Sequence, residues 1–87
     1  MCEVALGTCN QLQRPNQDAD NLPKGKHSTH ACGRQQPDPK DTTKVFKDVT
    51  VPYGKIVSAT GGMGANEFIV YRTDQIRMRY LVRIKAV

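Results

Sequence analysis

The chain has 87 residues, which allows one small domain at most and only a modest core. Its formal net charge is +5, with six Lys/Arg against two acids in residues 51–87; that excess fits either a polyanion-facing surface or the solvent face of a sheet. No apolar run approaches the ~18 residues of a membrane span, the first residues lack the basic and long apolar regions of a secretory leader, and an odd set of cysteines, Cys2, Cys9 and Cys32, argues against a disulfide framework and suits a reducing compartment.

In chain order, Cys2-Glu3-Val4-Ala5-Leu6 predicts a short strand ended by Gly7. It starts without a turn or cap, so we expect a chain that belongs to a larger domain. Residues 8–43 read as a long irregular connection. Between Gly7 and Lys44 the only large aliphatic side chains are Leu12 and Leu22. That content does not offset ordering entropy, so the stretch is expected to be disordered or draped over a scaffold. Pro15, Leu22-Pro23-Lys24-Gly25-Lys26 and Pro37-Asp38-Pro39 supply turn chemistry along it. A connection of this length inside a compact domain is functional or disordered.

Lys44–Val51 predicts a strand, ended by Pro52 and a Tyr53-Gly54 turn. Ile56-Val57-Ser58 adds a short extension. Gly61-Gly62-Met63-Gly64 reads as a flexible loop between strands. Residues 66–72 predict another strand, and Thr73-Asp74 a tight link. In the last segment Ile76, Met78, Tyr80, Val82, Ile84 and Ala86 alternate with Arg77, Arg79, Leu81, Arg83, Lys85 and Val87. Period two predicts a strand with its even side buried and its basic side wet. No sustained helical pattern and no internal repeat occur.

Few residues carry chemistry. Glu67 places one carboxylate in an otherwise strand-like run, Asn66-Glu67-Phe68-Ile69-Val70-Tyr71. A lone carboxylate on a strand is ordinarily a solvated or paired charge, but strand ends near loops are also where scaffolds present reactive groups. Cys9, His27, His30 and Cys32 are of zinc-binding type, yet their spacing matches no recurrent ligand frame, and polar loop residues are the better reading. The glycine stretch lacks the Gly-Lys-Ser/Thr of a phosphate loop. The row Arg77, Arg79, Arg83 and Lys85 has no interleaved aromatic for base stacking, which favours a charged outer face. His27-Ser28 has no orienting acid, so no nucleophilic triad is read.

Several segments nevertheless fall in a recognisable order: Glu3-Val4-Ala5-Leu6-Gly7, Leu22-Pro23-Lys24-Gly25-Lys26-His27-Ser28, Pro37-Asp38-Pro39, Val51-Pro52-Tyr53-Gly54-Lys55, Asn66-Glu67-Phe68-Ile69-Val70-Tyr71 and Asp74-Gln75-Ile76-Arg77-Met78-Arg79-Tyr80-Leu81. Over essentially the whole chain they resemble the C-terminal part of the catalytic domain of the poly(ADP-ribose) polymerases, most closely the DNA-damage-responsive members. The resemblance implies an α+β ADP-ribosyltransferase fold, of which residues 1–87 are a C-terminal portion, incomplete on the N-terminal side. This portion is expected to be mainly antiparallel β with a long irregular loop.

The implied activity is cleavage of NAD, used as a substrate, with release of nicotinamide and transfer of ADP-ribose to protein or ADP-ribose acceptors. No metal is implied. Glu67 matches the family's glutamate, which binds the nicotinamide-ribose 2′-hydroxyl, favours an oxocarbenium-like transition state and activates the acceptor in elongation. The family's catalytic histidine and tyrosine, and its other NAD contacts, are expected upstream of Met1. Ala65 and Asn66 are placed on the acceptor side. Polymerising relatives carry an aromatic where Ala65 stands, a departure that bears on acceptor binding and elongation. The family's Gly-x-Gly appears here as Ala31-Cys32-Gly33. The resemblance further implies a nuclear location, with the cytoplasm as alternative, no membrane association, and DNA contact only through domains outside this chain. The chain alone is expected to be inactive and poorly folded. A catalytically inactive remnant that binds through its basic sheet face is the alternative function.

Overall fold

A computed structural model describes residues 1–86. Its elements are β1 (Cys2–Val4), β2 (Cys9–Leu12), β3 (Ser28–Ala31), β4 (Gln35–Pro37), β5 (Thr42–Val45), β6 (Val49–Pro52), β7 (Ile56–Ser58), β8 (Glu67–Val70), a 3-10 turn (Thr73–Gln75) and β9 (Ile76–Met78). The regular elements of the described residues are thus mostly strands, as expected.

The central element is β3. It pairs in parallel with β2 on one edge and antiparallel with β8 on the other. Backbone partners on both sides enclose it, and its residues are small. Ser28 and Thr29 are essentially inaccessible, and Ala31 is the buried apolar residue of the core among the described residues. Buried hydroxyls require partners, and both find them. Ser28 Oγ donates to the Leu6 carbonyl at 2.8 Å, with Cys9 Sγ 3.1 Å away. Thr29 Oγ1 lies 2.7 Å from the Tyr71 hydroxyl.

The expected irregular stretch over 8–43 is corrected here, because it contains β2, β3, β4 and the start of the β5–β6 hairpin. Counting large apolar side chains misses a central strand that is buried by backbone pairing and made of Ser, Thr, His and Ala. Between β2 and β3 the chain crosses over through short turns. Ala19 and Asn21 donate to the Asn16 and Asp18 carbonyls. Lys26 N–H donates to the Pro23 carbonyl, with Gly25 at φ +83°, where a left-handed residue closes the turn.

Three two-stranded sheets complete the fold: β1–β9, β4–β7 and β5–β6. The strand expected over 44–51 is instead a hairpin, Val45 facing Val49 across the loop 46–48. Phe46 and Lys47 take φ of 48° and 70°, the left-handed conformation that tight hairpin loops demand. Gln75 clips separate sheets together. Its side chain donates to the carbonyls of Ala5 and His27 and accepts from the Arg72 N–H.

The long final strand is also corrected. Only Ile76–Met78 pairs with β1, and the ladder ends where β1 runs out, with Arg79 N–H donating to the Met1 carbonyl. The even side is not buried: Met78, Tyr80, Val82 and Ile84 are 85%, 56%, 50% and 84% exposed. Alternation marks a face able to be covered, but burial needs a second layer, and Phe46, its ring centroid 6.3 Å from that of Tyr80, covers only part of it. Val87 lies outside the described residues.

The fold makes a directional prediction. Thr29→Val should cost about 1–2 kcal/mol, the scale of a lost buried hydrogen bond. Tyr71→Phe added to it should cost little more, because the two hydroxyls share one interaction. Met78→Ser should change stability by no more than ~0.5 kcal/mol, as exposed sites do. Denaturant unfolding of the variants measures all of these, and a large loss at Met78 would return the even side of the last segment to a core.

Candidate functional site

Glu67 opens β8, opposite Ala31 in the antiparallel register, and Phe68 faces His30. Side chains alternate along a strand, so Glu67 shares a sheet face with Ala31 and Ile69. Asn66, Phe68 and His30 share the other. The Glu67 side chain is exposed, and its cross-strand neighbour is small. Among the described residues the ion pairs are Arg72–Asp74 and Arg79–Glu3, and neither engages Glu67.

Asn66 is the tether of this strand end. Its Oδ1 accepts from the Gly33 backbone N–H at 2.8 Å and lies 3.1 Å from His30 Nε2. Its Nδ2 donates to Gln36 Oε1 at 3.4 Å. The His30 ring stacks on Phe68, centroids 4.3 Å apart and 19° between planes. Ala65, exposed, sits immediately before this tether. The backbone of Ala65 and Asn66 runs so close to Gly33 that a Cβ there would collide with it. Close backbone approach is the reason for glycine at position 33.

The glycine-rich stretch is tied down rather than a free loop. Gly33 and Met63 form a parallel bridge, Met63 N–H donates to the Cys32 carbonyl, and Arg34 N–H donates to that of Met63. Gly61 lies against the carbonyls of Cys32 and Gly33, where any side chain would clash. This packing places Gln11, Gln13, Gln36, Thr60 and Asn66 around a cavity of about 370 Å³. A larger cavity of about 510 Å³, lined by Leu22, His27, Tyr71, Arg72 and Gln75 among others, lies past the far end of β8. Glu67 lines neither cavity.

The remaining candidates separate. Cys9, His27, His30 and Cys32 do not converge: no group of three potential ligands forms among the described residues. His27 Nδ1 accepts from the Thr8 N–H, Cys9 faces Ser28, and His30 serves Asn66. The basic row is interrupted because Arg79 bonds Glu3 at 2.7 Å and lies over the Phe46 ring. Gly33, Gln36 and His30 are not legible in the sequence as neighbours of Asn66. No spacing rule points to them, since the contact spans 30 or more residues.

A family model described as the poly(ADP-ribose) polymerase catalytic domain matches residues 1–86. The chain is 43% identical over 88 residues to poly(ADP-ribose) polymerase 2 of Arabidopsis thaliana. It is 46% identical over 87 residues to poly(ADP-ribose) polymerase 2-A of Oryza sativa subsp. japonica and 39% identical over 92 residues to poly(ADP-ribose) polymerase 2 of Homo sapiens. These matches take in 97–98% of this chain but only 13–15% of the relatives.

Gly33→Ala should push the Ala65–Asn66 backbone away and break the Asn66 bond to residue 33. We expect a loss of about 1–3 kcal/mol, the usual scale of overpacking. Amide exchange along β8 checks it: protection should fall first at Glu67 and Phe68, whereas uniform protection would mean that the tether does not hold the strand.

Proposed function

The chain belongs to the poly(ADP-ribose) polymerase catalytic-domain family, and on that premise we propose that it supplies the glutamate-bearing part of an NAD-dependent ADP-ribosyltransferase site. The observation that carries this reading is Glu67. It stands at the head of a strand held along one edge by β3, opposite a small residue and outside the ion pairs of the described residues. A carboxylate held by its backbone but not neutralised by a partner is suited to stabilise developing positive charge.

In this reading the C–N bond between nicotinamide and ribose breaks, and nicotinamide leaves with the bonding electrons. Glu67 accepts a hydrogen bond from the ribose 2′-hydroxyl and stabilises the oxocarbenium-like ribose. An acceptor hydroxyl then forms the new bond, its proton passing toward the carboxylate. No step calls for a metal. Ala65 and Asn66 stand on the acceptor side. The other catalytic groups come from the remainder of the domain, since the chain spans about one-seventh of the curated relatives it matches. A nuclear location belongs to the same proposal, and imaging of a tagged chain tests it.

Glu67→Gln, in a full catalytic domain that carries this sequence, tests the role directly. Transfer should fall by roughly 10²–10³, the scale for losing one preorganised electrostatic group. NAD affinity should change less, because the charge acts chiefly in the transition state. Asp74→Asn is the control: Asp74 is engaged with Arg72 in an exposed ion pair, which contributes little. Equal losses at both positions, with folding intact, would remove Glu67 from the mechanism.

The 87-residue chain by itself should release no nicotinamide from NAD. A direct nicotinamide assay checks this, and turnover by the isolated chain would overturn the reading that its site is partial.

A further inference from the structure

The Asn66 tether contains a titratable ring that the proposed reaction does not use. Asn66 Oδ1 receives the Gly33 N–H at 2.8 Å. A backbone N–H is always a donor, so this contact settles which end of the carboxamide is oxygen. The amide nitrogen then faces Gln36 Oε1, in agreement. The same oxygen lies 3.1 Å from His30 Nε2. Two acceptors do not bond one another, so Nε2 must carry a hydrogen.

We infer that His30 is a positioning residue for Glu67: its Nε2–H, donated to Asn66 Oδ1 while its ring stacks on Phe68, fixes the start of β8 so that the carboxylate is presented on the opposite face. The inference rests on Glu67 being the site's carboxylate. Three features make the linkage specific. His30 and Phe68 are direct cross-strand partners, and the stack at 4.3 Å sets the ring plane. Asn66 lies on the same face as Phe68, within reach of Nε2. Glu67 follows Asn66 by one residue, and alternation sends it to the other face. A slip of one residue would exchange the two, placing the carboxylate against His30 and the carboxamide in solvent. Gly33 N–H holds Asn66 from the loop side and His30 Nε2–H holds it from the strand side, so together they exclude that slip.

Nuclear magnetic resonance on a full catalytic domain that carries this sequence tests the inference without any turnover. In the unmodified domain, at a pH where the ring is neutral, the ring-nitrogen shifts of His30 should report the Nε2–H tautomer. The Nδ1–H tautomer would overturn the proposal with no variant made. His30→Phe keeps the stack and removes the donor. It should shift the Asn66 side-chain amide, raise Gly33 amide exchange about tenfold, the scale of one lost hydrogen bond, and weaken the Glu67–Ala31 cross-strand contacts. His30→Gln restores a donor near the Nε2 position and should return all three toward the original values. A phenylalanine variant that leaves Asn66, Gly33 and Glu67 unchanged would overturn the role. So would a glutamine variant that behaves like phenylalanine, since stacking alone would then explain the effect. Loss of the catalytic role of Glu67 is read separately, by Glu67→Gln in the full domain, and leaves these signals untouched.

Discussion

The antiparallel pairing of Ser28–Ala31 with Glu67–Val70 is the constraint on which the structure depends. It joins segments about forty residues apart and sets Glu67 opposite Ala31. It also brings His30 to Phe68 and Asn66, and the Thr29 hydroxyl to that of Tyr71. A strand pair has side-chain period two, so one register decides which residues share a face. The carboxylate and its supporting amide therefore end on opposite faces from a single choice of partners.

This centre is held by polar satisfaction more than by apolar volume. Ser28 and Thr29 are buried with bonded hydroxyls, and no buried side-chain polar atom lacks a partner among the described residues. Gln75 and Asn66 each bond to several backbone or side-chain groups. Such bonds contribute only about 1 kcal/mol each in net stability, but leaving one unmade in the interior costs more. They act as registration points: a wrong pairing strands buried donors and acceptors. The scarcity of buried apolar residues and the exposure of Tyr80, Val82 and Ile84 are consistent with a chain that spans about one-seventh of its relatives.

The glycine-rich stretch belongs to the same logic. Gly33 and Gly61 permit backbone to lie directly on backbone, and the bridge between Gly33 and Met63 ties the loop to the residues that follow β3. The Asn66 carboxamide then bonds the Gly33 N–H that this close approach presents to it. Without side chains to separate them, the loop and the start of β8 meet backbone to backbone in one corner, the kind of support that the proposed role of Glu67 requires.

Local pattern by itself pointed to strands over 2–6, 56–58 and 66–72, of which 2–4, 56–58 and 67–70 pair, and to the turn after Leu22-Pro23-Lys24-Gly25, because these depend on near neighbours; motif order singled out Glu67 for the role proposed for it. It did not determine β3, whose small polar residues carry no hydrophobic period, nor the hairpin at 42–52, where left-handed Phe46 and Lys47 follow no glycine signal. Alternation over 76–86 was legible as a pattern but not as burial, since burial is a property of two layers and a sequence describes one. His30, Gly33 and Gln36 became neighbours of Asn66 only through tertiary structure. Their contacts follow from strand register, and register is set by which distant segments satisfy one another's hydrogen bonds.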